Sequence, residues 1–464
     1  MVQRQIFPEE PTWTPKVTRM RAGCARRIID PPIGTRTENW GASKVHVTTG
    51  VHNHITATAM AILSENGESH FIVSIDWGWW QGIKDDLLIR GVIIQELGIN
   101  ENQLLLHLTH THAGPTTSSD VAELEGGQAA IEYHGVAIEA IVSACRQALA
   151  ESVLVDVTWG YGKCDLAVNR DLPCGSEDIV AFNPNQPADD TLAVARISDL
   201  NSKTIGIIIN YACHPTTLAW DNSLASPDFV GAARDLIESK HDAPVLFLQG
   251  ASGDLAPRDG FTGDTRVADK NGRVLGFATL SVIENMLPPS TRLKFLKTVE
   301  SGALLGEWGE EKFIPETKDS FQRIDLAVPL KVIPSIEELE ELWKDVDPNA
   351  RSVRIKRAKK LREGYLREAG TTHPVWIWRF GEAVFVAHPG EAYSKFQIEL
   401  RSRFPDRVVF VLNCTNGPGY VYVPTAESYD RGRYQVWQTL LGPGALDELI
   451  ERVGEAIKSF LYPA

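Results

Sequence analysis

Two histidines with one residue between them, His110 and His112, close the apolar run "LLLHLTHTHAGP" (Leu104–Pro115) just before Gly114 and Pro115 break it. In an extended strand, residues i and i+2 face one side, so the two project together and His107 points away. An H-x-H at a strand end either offers imidazoles to a metal or leaves two satisfied polar residues. His214 repeats the pattern in "NYACHPTTLAW", where an apolar strand again stops at a histidine and a proline. Glu391 follows "VFVAHPG" and falls in the first turn of an expected helix, where acidic residues are favoured in any case. The small-residue loop "LQGASGDLAPRDG" brings backbone N–H groups close to a substrate, with Asp254 as its charged member. "GYVYVPT" places Tyr420 and Tyr422 beyond another buried strand.

Positioning such groups requires buried strands that end at one edge, where open α/β sheets build their sites. The sequence supplies them. "HFIVSID" and "QLLLHLTH" read as buried strands, with the helix "KDDLLIRGVIIQELG" between them ending on Gly98. "IEYHGVAIEAIVSACRQALAES" is an amphipathic helix. "LAVARISDLNSKTIGIIINYACHP" and "VWIWRFGEAVFVAHPG" read as hairpins, the second turning at Gly381. "PDFVGAARDLIES", "DKNGRVLGFATLSVIENML", "EAYSKFQIELRSRF" and "GALDELIERVGEAIKSFLY" read as helices, and "APVLFLQG", "FQRIDLAVPLKVI" and "RVVFVLNCTNG" as strands. Residues 335–370 are highly charged, acidic then basic, and are expected to form a solvated helical hairpin inserted in the domain. No linker interrupts residues 1–464. The expectation is one α/β domain: a large mixed β-sheet sandwich flanked by helices, with a metal site at strand ends.

Composition narrows the partners. Hydrophobic residues make up 43% and charged residues 23% of the 464, which is ordinary globular usage. A net charge of −14 argues against bulk affinity for nucleic acid or anionic membranes. The opening residues lack a signal-peptide pattern, and no apolar run reaches membrane-spanning length. The six cysteines form no C-x-x-C pair and read as reduced thiols, so a cytoplasmic protein is expected, with Cys164 and Cys174 a minor candidate for a local bridge.

Taken in order, "AGCARRIIDPPIG", "THTHAGP", "AVNRDLP", "ACHPTTL", "SPDFVGAA", "GASGDLAPR", "PGEAYSKF" and "YVYVPTAESY" make the chain resemble the catalytic domain of neutral/alkaline non-lysosomal ceramidases. The resemblance runs from about Ala22 onward. It implies a single Zn²⁺ held by His110, His214, Glu391 and Tyr422, the last chosen over Tyr420 by its spacing from Tyr429. It also implies that His112 and Arg170 belong to the catalytic site. Two imidazoles and a carboxylate suit Zn²⁺ and leave room for water. The expected reaction is hydrolysis of an amide (N-acyl) or related C–N bond by zinc-bound water. In it His112 shuttles the proton, and Arg170 and Tyr422 stabilise negative charge.

The chain departs from the family at Ala256, where "GDLAPR" replaces a serine-bearing run. It is also expected to lack the β-sandwich domain that usually follows and the usual secretion signal. These departures point to a small soluble substrate rather than ceramide. "DWGWWQG" follows a strand end, and its tryptophans are either core or a pocket wall. The wall is preferred because Trp77 and Trp79 share a face, with Asp76 orienting a ligand or substrate. Such a wall also suits sugars and cyclitols, which keeps an esterase, lactonase or C–O/C–N lyase as alternatives. A non-catalytic binding protein on the same scaffold is the rival of another class. Oligomeric state is not encoded in any motif.

Overall fold

The structure, a computed structural model, describes residues 11–37, 40–366, 372–417 and 421–462. Eight strands form the larger sheet: β1 (Lys16–Ile28), β2 (Thr56–Leu63), β3 (Ser69–Ile75), β4 (Leu104–Leu108), β5 (Val153–Lys163), β6 (Thr191–Asp199), β7 (Thr204–Tyr211) and β8 (Val245–Gln249). Their spatial order is β8-β7-β6-β5-β1-β2-β3-β4. The interior pairs are antiparallel, whereas each edge strand runs parallel to its neighbour, β4 to β3 and β8 to β7. A second sheet has four strands in sequence order: β9 (Asp319–Ala327), β10 (Thr372–Phe380), β11 (Ala383–Ala387) and β12 (Val408–Leu412), with β11 and β12 parallel.

The two sheets pack face to face. Met60, Ile72, Leu105 and Leu246 from the first meet Trp376, Trp378, Phe385 and Phe410 from the second in one buried cluster. Burying each such side chain contributes about 1.5–3 kcal/mol, so this interface fixes how the strand ends of the two sheets meet. Helices α1 (Ile83–Leu97), α2 (Gly127–Ala150), α3 (Phe229–His241) and α4 (Thr265–Glu284) cover the outer face of the large sheet. α5 (Ile336–Leu342), α6 (Pro348–Tyr365), α7 (Lys395–Arg403) and α8 (Ala445–Leu461) lie on the side of the small one. α8 buries Leu446, Leu449, Ile450, Val453, Ile457 and Leu461, the three- and four-residue spacing of an apolar stripe. The result is a helix–sheet–sheet–helix sandwich, as the sequence leads one to expect.

Local signals explain several boundaries. α1 stops at Gly98, whose φ of 66° suits a residue without Cβ. The β-branched run of β7 is buried along most of its length, between β6 and β8. Gly381 turns the β10–β11 hairpin with φ 49°.

The segment at 335–370 departs from its expected solvated form. α6 buries Ile355, Ala358, Leu361 and Tyr365, and Leu361 and Tyr365 join the core beneath the small sheet. Its charged residues hid that apolar stripe in the sequence. Residues 367–370 lie outside the described residues. All six cysteines, Cys164 and Cys174 included, are unbridged. Among the described residues no helix is long and apolar enough to cross a membrane.

Candidate metal centre

The centre lies where four strands from both sheets end. β4 stops at Leu108, two residues earlier than the sequence pattern suggests. His110 then takes a left-handed backbone with φ 70°, its N–H donating to the Trp77 carbonyl at 2.9 Å. The strand rule that groups His110 with His112 therefore does not operate here. A turn brings the rings together instead, with centroids 5.0 Å apart. His107 points into the core, where its Nδ1 meets Thr415 Oγ1 at 2.9 Å and its Nε2 accepts from the Gln249 N–H at 2.7 Å.

His110 Nδ1 donates to the Gly78 carbonyl at 2.9 Å, and His214 Nδ1 to the Ser252 carbonyl at 2.7 Å. A carbonyl only accepts, so each ring is fixed with its proton on Nδ1 and its Nε2 lone pair facing the centre. Those two Nε2 atoms are 3.1 Å apart, and Glu391 Oε2 lies 3.2 Å from the first and 3.0 Å from the second. Three electron-rich atoms so close together repel unless a positive charge sits among them. Burial would push the Glu391 carboxyl up, but His110 and His214 hold it well below the usual carboxylate range. Burial pushes His214 down to about 3, with Arg170 adding to the effect. His110 is drawn upward against burial by Cys414 and Glu391, so the cluster favours a cation where these atoms converge.

Glu391 does not begin a helix. It forms a two-residue strand with Ala392, paired parallel with Tyr422–Val423 so that Glu391 and Tyr422 are direct partners. α7 begins only at Lys395. The Tyr422 hydroxyl accepts from Arg170 Nη2 at 3.2 Å and lies 3.4 Å from His214 Nε2 and 3.3 Å from the Tyr434 hydroxyl. Arg170 is itself anchored by two bonds to the Gly253 carbonyl, at 2.8 and 3.2 Å. Tyr420 lies outside the described residues.

His112 stands beside this set. Its ring packs against Trp40 at 5.0 Å and Trp79 at 4.8 Å, and both ring nitrogens are buried without a hydrogen-bond partner among the described residues. Burial, then the neighbouring His110 and His214, press its pKa well below the ordinary imidazole value. The ligand atoms of His110, His112 and His214 all lie within 4.8 Å of one another. Locked tautomers, a converging carboxylate and an orphaned imidazole fit a metal ion, and two imidazoles with a carboxylate suit Zn²⁺.

A cavity of about 330 Å³ opens onto these groups. Trp79, Arg170 and Tyr422 line it. Trp77 does not. It is buried in the core, its indole N–H donating to the Tyr133 hydroxyl at 3.2 Å. Asp76 is also structural: it accepts from the Thr56 N–H and hydroxyl and pairs with buried Arg234 at 2.9 Å. Asp254 spends its carboxylate on the Ser394 N–H and hydroxyl, just ahead of α7, and does not line the cavity. All three follow a strand end in sequence, but their side chains turn inward to hold neighbouring chain. Ala256 is buried on a short strand opposite Val168, away from the cavity lining.

Several lining residues escape a sequence reading. Trp40, Trp220 and Phe261 form an aromatic wall from three separate loops, Tyr434 backs Tyr422, and Arg357 arrives from α6. Trp220 closes the run "NYACHPTTLAW" without being singled out there, and Trp40, Phe261, Tyr434 and Arg357 lie outside the strand-end motifs.

The profile of a family described as "Neutral/alkaline non-lysosomal ceramidase, N-terminal" matches residues 38–273, a stretch that holds His110, His112, Arg170 and His214 but neither Glu391 nor Tyr422. "Neutral ceramidase B" of Dictyostelium discoideum is 27% identical over 265 residues, 50% of this chain and 36% of its own length. "Neutral ceramidase" of Mycobacterium tuberculosis is 23% identical over 235 residues, 45% of this chain and again 36% of its own length. These matches thus span little more than a third of either relative. The crystal structure of a neutral ceramidase from Pseudomonas aeruginosa superposes with a TM-score of 0.64 at 18% identity, covering 95% of this chain and 74% of that one. The likeness in structure is one of fold.

Proposed function

The chain belongs to the neutral/alkaline non-lysosomal ceramidase family, and from that membership we propose that it is a zinc-dependent hydrolase of an amide (N-acyl) bond. The observation that carries this reading is the convergence of His110 Nε2, His214 Nε2 and Glu391 Oε2 within 3.2 Å of one another, with both rings fixed by carbonyls.

In this reading His110, His214 and Glu391 would hold the ion, and Tyr422 would either complete the set or face the substrate. When bound, Zn²⁺ supplies Lewis-acid polarisation of the carbonyl and a more acidic water. The water oxygen joins the acyl carbon, the C–N bond breaks, and acid and amine leave. His112 is neutral and has no hydrogen-bond partner among the described residues, so it is suited to take the water proton and return it to the leaving nitrogen. Arg170 occupies one lone pair of the Tyr422 oxygen, which frees the phenolic hydrogen to donate to the carbonyl oxygen as negative charge builds there. The aromatic wall excludes water and seats the apolar part of a small substrate.

Metal content and N-acyl amide hydrolysis of the purified protein test the proposal, with His110→Ala as the blank. The expected result is about one zinc per chain and activity lost in the variant. A protein that takes up no zinc when it is supplied, or a variant that keeps full activity, would overturn it.

A further inference from the structure

A second chamber, of about 240 Å³, adjoins the metal pocket and shares Trp40, Gly41 and Arg357 with it. Its lining is basic. Arg36 and His46 come from the loop before β2, and Lys356, Arg357 and Lys360 from α6. Lys356 and Lys360 are four residues apart and so lie on one helix face, with Arg357 beside them. Among the described residues the lining holds no aspartate or glutamate, although the chain as a whole carries a charge of −14. The cations are held in place. Lys360 pairs with Asp120 outside the lining, Arg36 donates to the Glu125 carbonyl at 3.1 Å, and Arg357 lies over the Trp79 ring at 5.5 Å and donates to Gln438 Oε1 at 2.5 Å.

We infer that this chamber receives an oxyanion, a carboxylate or a phosphate, carried by the substrate at a distance from its scissile amide. This rests on the hydrolase reading above and adds the substrate class. Three points support it. A concave wall of one charge sign focuses the field and raises the local concentration of anionic ligands. Arg357 stands at the junction of the two spaces, so its planar fork meets a group that reaches from the metal pocket into the chamber. Trp40 is common to both cavities and gives the intervening part of such a molecule an apolar surface. Assembling this wall also explains why α6, despite its charge, is anchored by Leu361 and Tyr365 rather than left in solvent.

The test uses the full zinc-loaded chain and three probes: N-hexanoyl-4-aminobutyrate, N-hexanoylethanolamine phosphate and neutral N-hexanoylethanolamine. Binding is measured by calorimetry and cleavage by amine release. At least one anionic probe should bind about tenfold or more tighter than the neutral one, as expected of charge-assisted hydrogen bonds. The tighter of the two identifies the oxyanion. The advantage should shrink with added salt and largely vanish in Lys356→Gln and Arg357→Gln. Equal binding of neutral and anionic probes by the unaltered protein overturns the inference without any variant. So does an anion advantage that survives both substitutions. Cleavage without anion preference removes this inference alone. Anion-selective binding without cleavage of any probe upholds the chamber and removes the hydrolase reading instead.

Discussion

Glu391 and Tyr422 are direct partners in a parallel ladder of two residues each, although α7, β12 and the loop after it separate them in sequence. The pairing is cemented by the Glu391 N–H donating to the Val421 carbonyl at 2.8 Å. It sets a carboxylate and a phenol side by side against His214, whose Nε2 lies 3.0 Å from one and 3.4 Å from the other. Their chemistry can be separated by substitution.

Glu391→Gln preserves shape and removes the charge that opposes a cation. Zinc affinity should fall by more than about 100-fold, beyond what changes to outer ligand partners produce. Titration against a competing chelator measures it. Affinity within a few fold of the unaltered protein would exclude Glu391 from the ligand set.

Tyr422→Phe removes the hydroxyl that lies 3.4 Å from His214 Nε2. If Tyr422 acts as a donor to the carbonyl oxygen, kcat should fall about 100–1000-fold while bound zinc stays stoichiometric. Parallel metal analysis and steady-state kinetics distinguish this from ligation, in which zinc itself is lost.

Asp76→Ala should act on stability rather than turnover, because it leaves Arg234 buried and unpaired. A loss of about 3–5 kcal/mol is expected from breaking a buried ion pair. Urea unfolding checks it, and activity per folded molecule should be retained.

His388 links acid pH to stability. It is fully buried, bonded to His373 at 3.0 Å and to Asn413 Oδ1 at 2.8 Å, and burial lowers its pKa from 6.5 to about 4. The unfolded chain therefore binds more protons than the folded one between those values, and stability contributed by the neutral ring is lost as pH falls from 6.5 toward 4. The full effect is about 3 kcal/mol. Asp228 and Asp254, pushed up to about 6 by burial, act in the opposite sense. The measurable quantity is thus the difference between the protein and His388→Asn. The variant should lose less stability from pH 7 to 4.5 in urea titrations. Identical slopes would remove His388 from this role.

Trp220→Ala opens the aromatic wall, where Trp220 packs on Trp40 and Phe261. KM for an N-acyl amide with an apolar chain should rise about tenfold with kcat little changed, the loss of part of one aromatic contact. An unchanged KM would move the apolar subsite elsewhere.

The sequence by itself determined the alternation of buried strands and helices, the histidines that follow β4 and β7, and the order of motifs that marks the family. Those signals are local: apolar runs of strand length, a glycine or proline after them, a turn between two β-rich runs. It could not decide which strand-end side chains face the cavity. The period-two rule stops where the strand stops, and His110 lies beyond that point in a left-handed turn. Hence His110 and His112 meet for a reason other than the expected one, while Asp76, Trp77 and Asp254 turn into the core or toward neighbouring chain. The packing of one sheet on the other decided the rest. It carries Glu391 and Tyr422 from the smaller sheet to the histidines of the larger, brings Trp40, Trp220 and Phe261 in from unrelated loops, and seats α6 so that Arg357 reaches the pocket. Each of these contacts joins segments far apart in the chain, and no local pattern encodes a distance between them.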